Sequence, residues 1–196
     1  MKEIIFFSNN NNKIKEVKNL FSTQYFNLYN LNNYKKIKSP EETGKSFSEN
    51  AKIKSLYGFQ KFNKICFADD SGLCVKALNN GPGINSKNYL EKHKNKKEAL
   101  KKIILASIKK NNFSAYFKTS ICLTLNYEKN IFFDGKVEGI ISKEIMGEDG
   151  FGYDPIFIPN GYKETFAQMD LNTKNQISHR YIAIKKLKNY LINLSL

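Results

Sequence analysis

The chain has 196 residues and carries 32 lysines and arginines against 18 aspartates and glutamates, a net charge of +14. Its length fits one domain, or two small lobes that share a core, and a hydrophobic content of 41% excludes a disordered chain. The longest apolar runs hold four residues, too few for a membrane-spanning helix of about 20. Because Met1-Lys2-Glu3 does not begin a signal peptide, we expect a soluble, cytoplasmic protein without a membrane partner.

The positive charge admits two interpretations. Lysine-rich surfaces bind the phosphates of nucleic acids through counterion release. Lysine and asparagine are abundant along the whole chain, however, and arginine, which binds phosphates and bases in a bidentate manner, occurs only at Arg180. We therefore favour a solvated basic surface that attracts small anions such as polyphosphates, and we expect no stable nucleic-acid partner.

The cysteines are odd in number and lie in apolar, strand-like contexts, at Cys66, Cys74 and Cys122. No CxxC spacing is present. This pattern favours buried thiols in a reducing compartment over disulfides or a zinc site.

In the first half of the chain, hydrophobic periodicity predicts strands that alternate with helices. Ser46 and Glu49 have the spacing of a capping box, which predicts the start of a helix. The predicted elements are a strand from Lys2 to Phe7, a loop from Ser8 to Lys13, a helix through Ile14, Val17, Leu20 and Phe21, a strand from Tyr25 to Leu31, a loop from Asn32 to Lys45, a helix from Ser46 to Phe59, strands from Ile65 to Ala68 and from Leu73 to Leu78 around an acidic turn, and a break at Asn80 to Gly83.

The second half predicts a helix, a long hairpin and a closing helix. Strict alternation of apolar and polar residues from Ala115 to Leu125 indicates a long strand, and the region from Asn130 to Ile141 resembles its antiparallel partner. The other predicted elements are a helix from Lys96 to Lys110, a tight loop from Phe151 to Pro155 and a helix from Ser178 to Leu191 with Ser178 as N-cap. The order of elements predicts an α/β fold with a mixed sheet flanked by helices.

Two adjacent acids, Asp69 and Asp70, follow the apolar run from Ile65 to Ala68. In open α/β sheets ligands bind at the carboxyl ends of strands. Neighbouring side chains on extended backbone point in opposite directions, so only one of the two carboxylates can face a given metal ion or water. The pair is equally compatible with a Mg²⁺ site and with a turn rich in aspartate.

Three further loops carry polar or aromatic side chains. Backbone N–H groups and Lys13 in the loop that precedes the first helix could hold a phosphate, although an asparagine-rich turn has the same sequence. The segment from Phe151 to Pro155 places two aromatic rings and an acid around a glycine, either to stack on a base or as a packed turn. Hydrogen-bond donors then concentrate at Lys174 and at His179-Arg180.

Together these segments resemble the inosine triphosphate pyrophosphatase family (Ham1-like), closest to its bacterial-type branch. The resemblance extends from Ile4 to Leu187. Its motifs occur in family order and are Ser8-Asn9-Asn10-x-x-Lys13, Glu41-Glu42-Thr43-Gly44-x-Ser46-Phe47-x-Glu49-Asn50-Ala51-x-x-Lys54, Ala68-Asp69-Asp70-Ser71-Gly72-Leu73, Gly81-Pro82-Gly83 before Tyr89, Gly150-Phe151-Gly152-Tyr153-Asp154-Pro155-Ile156-Phe157, and Lys174-Asn175-x-x-Ser178-His179-Arg180.

The resemblance implies an elongated mixed sheet with two lobes around a nucleotide-binding cleft, in one domain over residues 1–196 of a homodimer. It implies hydrolysis of ITP, dITP and XTP to the monophosphate and pyrophosphate. Asp70 would be the general base and, with Glu42, a ligand of Mg²⁺, while Asp69 would support the turn. The residues implied to hold the triphosphate are Ser8, Asn10, Lys13, Lys54 and Ser71, and those implied to hold the base are Phe151, Gly152, Tyr153, Asp154, Lys174, His179 and Arg180.

The chain departs from the family pattern at three places. Asn9 replaces a glycine, and Gln168 replaces a common glutamate. The common Ser-Ala-Arg-Tyr motif reads Ser86-Lys87-Asn88-Tyr89, so its arginine is lost. Two other functions stay open from the sequence. One is hydrolysis of modified pyrimidine nucleotides, as in the related Maf-like proteins, and the other is a basic nucleic-acid-binding module on the same fold.

Overall fold

The computed structural model describes residues 2–21, 26–34 and 37–194 of the chain. The strands are β1 Lys2–Phe6, β2 Phe26–Asn30, β3 Cys66–Val75, β4 Gly81–Pro82, β5 Ser114–Thr124, β6 Asn130–Ile141 and β7 Phe157–Pro159. The helices are α1 Asn11–Leu20, α2 Phe47–Phe62, α3 Ser86–Glu91, α4 Lys96–Lys109, α5 Leu171–Ile177 and α6 His179–Leu194. None of the helices in these three ranges is long and apolar enough to cross a membrane.

The strands form one mixed sheet in the order β2-β1-β3-β5-β6-β7, and β4 pairs with β3. β1 runs parallel to both β2 and β3, whereas β4 is antiparallel to β3 and β7 is antiparallel to β6. At the base of the β5–β6 hairpin the Ile141 N–H donates to the Phe113 carbonyl at 2.8 Å. The expected α/β class with a mixed sheet is confirmed.

Most predicted elements agree with the observed ones to within a few residues. The Ser46 hydroxyl caps α2 by accepting from the Glu49 N–H, but the Glu49 carboxylate accepts from Lys45 N–H, so the capping box is incomplete. α2 continues to Phe62 and ends where Asn63 adopts a left-handed conformation. Tyr25 of the second predicted strand, and residues 35 and 36 of the loop after it, lie outside the described residues.

Four short elements were not predicted, and one of them, the two-residue β4, lies within the predicted break at Asn80 to Gly83. The other three, α3, α5 and β7, have six, seven and three residues, which is too short for periodicity to distinguish a helix or strand from a loop. α5 nevertheless has a clear start, because the Asp170 carboxylate accepts from the N–H groups of Asn172 and Thr173.

The predicted acidic turn is wrong, because Asp69 and Asp70 lie inside the continuous strand β3. A strand can hold two buried acids when each carboxylate has cationic or hydrogen-bonding partners, and both have them here. Asp69 therefore does not support a turn. β3 ends at Val75, where residues 76–78 form a 3₁₀ turn in place of the predicted end of the strand.

The described chain divides into two compact units, and β3, β5 and β6 each contribute residues to both. The first unit comprises the residues up to Asp70, Thr119–Gly135 and those from Arg180 onward. The second comprises Ser71–Lys118 and Lys136–His179. Each unit has its own apolar cluster. The first includes Ile4, Phe6, Phe67, Leu123 and Leu187, and the second includes Leu73, Leu100, Ile103, Phe157 and Phe166.

Candidate active site

In the first unit, the start of α1 gathers three of the residues expected to hold the triphosphate. The Asn10 side-chain oxygen caps the helix by accepting from the N–H groups of Asn12 and Lys13, at 3.1 and 3.2 Å. The Ser8 hydroxyl accepts from the Asn10 N–H at 3.2 Å. Asn11 to Lys13 therefore form the first turn of a ten-residue helix instead of the predicted loop, and its N-terminal dipole favours an anion.

The Lys13 ammonium lies beside a carboxylate of β3. Its Nζ is 2.9 Å from Oδ2 of Asp69, and 16% of the Lys13 side chain is exposed, against 2% for Asp69. Burial lowers the pKa of Lys13, and the negative charge of Asp69 opposes this shift. The ion pair thus keeps a partly exposed cation at the start of α1.

A second cluster surrounds Asp70, which points to the face of β3 opposite to Asp69, as alternation predicts. The Asn50 amide donates to Oδ2 of Asp70 at 3.0 Å, and the Lys54 ammonium lies 3.9 Å from Oδ1. Lys54 also donates to Oε1 of Glu42 at 2.8 Å. Its ammonium therefore lies within 4 Å of the two carboxylates that were expected to share a metal ion.

The α2 helix orients this cluster. Asn50 and Lys54 are four residues apart and so lie on one helix face. The Asn50 side chain is fixed from both ends, because its oxygen accepts from the Gly44 N–H at 2.8 Å while its amide donates to Asp70. A Cβ at residue 44 would lie 2.6 Å from that oxygen, so the close approach requires Gly44.

Burial raises the pKa of the Asp70 carboxyl above its usual range. The charges of Lys54 and Lys13 and the hydrogen bond from Asn50 oppose the shift, and the charge of Glu42 adds to it. A carboxylate with a raised pKa is a stronger base than an exposed one. The environment of Asp70 therefore suits a residue that takes a proton from water.

The residues around Asp70 also fit a magnesium ion. No group of three or more His, Cys, Asp or Glu that could hold a metal occurs in the described ranges. Mg²⁺ does not need such a group, because it binds through one or two carboxylates together with water and substrate phosphates. Glu42 and Asp70 already share one cation, Lys54, and both offer oxygen ligands.

In the second unit, Asp154 and Lys174 hold the aromatic loop. Oδ2 of Asp154 accepts from the Phe151 N–H at 2.6 Å and from the Lys174 ammonium at 2.8 Å. That ammonium lies 5.0 Å from the centre of the Phe151 ring. Gly150 has φ +74°, and a Cβ there would lie 2.2 Å from Oδ2 of Asp154, so glycine permits the loop.

The two aromatic residues of this loop have different environments. Phe151, like Gly152, is half-buried, whereas Tyr153 is buried in the apolar cluster and its hydroxyl donates to the Ser86 carbonyl at 2.7 Å. Burial raises the pKa of Tyr153. Of the two rings, Phe151 is therefore the better placed to meet a base.

His179 and Arg180 are adjacent in sequence but belong to different units. The His179 ring is buried and stacks on Phe117, with the ring centres 4.7 Å apart. The Arg180 guanidinium contacts Glu16 and lies 3.5 Å from Asp69. Ser71, expected to hold phosphate, is half-buried in β3 directly after Asp70.

Three residues that contact expected site residues were not predicted from the sequence, namely Asn50, Glu16 and Phe117. Helical spacing offered a signal for two of them, since Asn50 precedes Lys54 by one turn and Glu16 follows Lys13 by three residues. No local pattern marks Phe117 as a site residue, because in the sequence it is one of several apolar residues of a strand.

The structure shows the environment of each residue that departs from the family pattern. Asn9 is not among the residues with positive φ, so the turn at this position does not require glycine. The Gln168 oxygen accepts from the Thr165 N–H at 3.0 Å, a bond that a glutamate could also accept. Asn88, which stands at the position of the lost arginine, is exposed on α3, as is Lys87.

Comparisons with known proteins identify the family of this chain. A model of the Ham1 family matches residues 4–190. The dITP/XTP pyrophosphatase of Christiangramia forsetii is 40% identical over 189 residues, which are 96% of this chain and 98% of the relative. That of Bacillus subtilis is 36% identical over 193 residues, which are 97% and 98% of the two chains.

A solved structure has the same fold. The HAM1 protein of Coxiella burnetii superimposes with a TM-score of 0.90 at 34% identity, covering 98% of this chain and 100% of that chain. The Ham1 protein of Staphylococcus aureus gives a TM-score of 0.86 at 36% identity, covering 98% and 99%. By sequence and by fold, the chain belongs to the Ham1 family.

Proposed function

We propose that this chain hydrolyses the non-canonical purine nucleotides ITP, dITP and XTP to the monophosphate and pyrophosphate, in the cytoplasm and with Mg²⁺. The observation that carries the proposal is Asp70, a buried carboxylate with a raised pKa beside Lys54 and Glu42. Relatives named dITP/XTP pyrophosphatase support the choice of substrate.

Residues of the first unit would bind the phosphates of the substrate. Ser8, Asn10 and Lys13 offer donors at the start of α1, and Lys54 adds a second ammonium. Ser71, which follows Asp70 in β3 and is the first residue of the second unit, carries a hydroxyl that the resemblance to the family assigns to the triphosphate.

Release of pyrophosphate requires attack by water and cleavage between the α- and β-phosphates. Asp70 orients this water and accepts its proton, while Asn50 keeps the carboxylate in place. Mg²⁺, which Glu42 and Asp70 would hold, supplies neutralisation of phosphate charge.

Residues of the second unit would bind the nucleobase of the substrate. Phe151 offers a ring face for stacking, and Lys174 and His179 offer donors for the 6-oxo group of hypoxanthine and xanthine. Adenine presents an amino group at that position, and a site built to donate there can reject it by roughly 10⁴-fold. Gly152, Tyr153 and Asp154 shape the loop that carries Phe151.

A nucleotide panel tests the proposal. Pyrophosphate release is measured from ITP, dITP, XTP, ATP, GTP and modified pyrimidine triphosphates, with and without Mg²⁺. We expect release from the first three, abolished by Asp70→Asn and unchanged by the exposed control Glu91→Gln. A preference for modified pyrimidines would instead assign a Maf-like activity. Salt-sensitive binding of DNA or RNA without any release would overturn the enzyme assignment.

We also propose a homodimer, on the basis of the resemblance to the family. Light scattering coupled to size-exclusion chromatography measures the molar mass directly. A mass equal to that of one chain across micromolar concentrations would contradict the dimer.

A further inference from the structure

We propose that Ser86 is a positioning residue for base recognition. Its hydroxyl fastens the start of α3 to β3, and its carbonyl holds Tyr153 in the loop that carries Phe151. The inference rests on the proposed function, in which Phe151 and Lys174 meet the base of the nucleotide.

The Ser86 hydroxyl acts both as donor and as acceptor within the second unit. It accepts from the Leu73 N–H of β3 at 3.0 Å and donates to the Gly83 carbonyl at 2.6 Å. The Gly83 carbonyl also accepts from the Ser86 N–H, and Ser86 is buried. One buried hydroxyl therefore joins β3, the turn at Gly83 and the first residue of α3.

Close packing at Gly72 restricts this junction further. A Cβ at residue 72 would lie 2.2 Å from the Gly83 carbonyl oxygen and 2.5 Å from the Ser86 hydroxyl oxygen. No side chain of β3 therefore separates the strand from residues 83–86 at this position. Such close packing fixes the place of the Ser86 carbonyl relative to the strand.

The Ser86 carbonyl in turn holds the loop that would meet the base. It accepts from the Tyr153 hydroxyl at 2.7 Å, and Tyr153 is 3% exposed. Burial raises the pKa of Tyr153, so the phenol stays protonated and donates at neutral pH. The next residue, Asp154, holds the Phe151 N–H at 2.6 Å and the Lys174 ammonium at 2.8 Å. The loop thus has one anchor at Ser86 and another at Lys174.

The position of these anchors predicts a defect confined to the base. The network from Leu73 to Lys174 belongs to the second unit, whereas Lys13 and Lys54, which would bind phosphate, belong to the first. Loss of the Ser86 hydroxyl releases the carbonyl that holds Tyr153. The ring and the ammonium that would meet the base then lose their fixed place, while a ligand without a base should bind as before.

Two partial ligands test the inference, because tripolyphosphate has no base and inosine has no phosphate. Tripolyphosphate affinity is measured by titration calorimetry and inosine affinity by ligand-observed NMR, on wild type, Ser86→Ala, Tyr153→Phe and Ser86→Ala/Tyr153→Phe. We expect each single variant to weaken inosine binding by about 3- to 10-fold, as for loss of one neutral hydrogen bond. Tripolyphosphate affinity should stay within about twofold of wild type, because sites without shared partners are nearly independent.

Steady-state kinetics provide a readout that a purely structural role would not change. In both single variants KM for ITP should rise by about 3- to 10-fold while kcat stays within about twofold, because the lost binding is uniform. The ratio of kcat/KM for ITP over ATP should fall by at least about threefold, because the same loop holds Lys174. A ratio equal to that of wild type in a folded variant overturns the inference.

The double variant shows whether the Ser86 hydroxyl acts through the Ser86 carbonyl. If it does, Tyr153→Phe weakens inosine binding by less than about twofold in the Ser86→Ala background. Fully multiplicative losses would mean that the two groups act separately, and would overturn the inference.

Controls separate folding from positioning. Ser114→Ala removes an exposed hydroxyl of the same unit, at the start of β5, and should bind both ligands like wild type. If circular dichroism shows that Ser86→Ala does not fold, Tyr153→Phe alone decides through its inosine affinity and its ITP-over-ATP ratio. Inosine binding that weakens in the variants, without pyrophosphate release by wild type, contradicts the proposed function alone. ITP hydrolysis with the same inosine affinity and KM in wild type and variants overturns the positioning role alone.

Discussion

Replacement of Asp70 by asparagine should separate catalysis from stability. The substitution keeps the shape of the side chain and leaves an oxygen to accept from the Asn50 amide, which now donates to Oδ2 of Asp70 at 3.0 Å. It removes the charge that would bind Mg²⁺ and accept a proton. General base catalysis alone contributes about 10²- to 10⁴-fold, so we expect kcat for ITP to fall by at least about 10²-fold.

The same variant should be more stable than wild type at neutral pH. Burial raises the pKa of Asp70, so the folded protein binds this proton more tightly than the unfolded chain and the ionised carboxylate costs stability. Asparagine removes that cost, which is about 1.4 kcal/mol per unit of pKa difference. The cost is full above the folded pKa of Asp70, declines as the pH falls below that value, and is gone once the pH is below the ordinary pKa of an aspartate in the unfolded chain. The advantage of Asp70→Asn should therefore vanish near pH 4.

Urea denaturation between pH 4 and pH 8 measures this difference, and pyrophosphate release measures the catalytic loss. Asp170→Asn is a matched control whose change in stability should have the opposite sign. The hydroxyl of Thr173 lowers the pKa of Asp170, so the ionised carboxylate stabilises the folded protein. We expect Asp170→Asn to be less stable than wild type at neutral pH, and this difference should become smaller as the pH falls. If Asp70→Asn is less stable than wild type at pH 7, the ion pairs outweigh burial and the reasoning is wrong. Undiminished turnover would remove Asp70 as the base.

Three further predictions concern the supports of the site. Gly150→Ala should destabilise the protein by about 1–3 kcal/mol, since φ is +74° and the new Cβ would lie 2.2 Å from Asp154; urea unfolding within a few tenths of wild type would contradict this. Ser46→Ala should cost about 1 kcal/mol by removing the cap of α2, measured in the same way, with the exposed Ser114→Ala at the start of β5 as control. Burial raises the pKa of Cys66, and all three thiols are buried, so iodoacetamide at pH 8 should leave activity intact and alkylate them only in urea.

Much of the fold could be predicted from local pattern. The alternation from Ala115 to Leu125 gave β5, and Ser46 marked the start of α2, because these signals depend on residues that are close in sequence. The acidic pair at Asp69 and Asp70 shows the limit. Acids after an apolar run indicate a turn when their partners are unknown, and only the contacts made by both carboxylates explain why the strand continues.

The amino-acid sequence by itself determined the family, the mixed α/β fold and the candidate site residues, because these depend on motifs and periodicity along the chain. The tertiary structure alone decided which charges meet. Arg180 contacts Glu16 across 164 residues of sequence, and Lys54 lies between Glu42 and Asp70. Such pairs form because a buried charge requires a partner, and which partner it finds depends on how strands and helices pack in space.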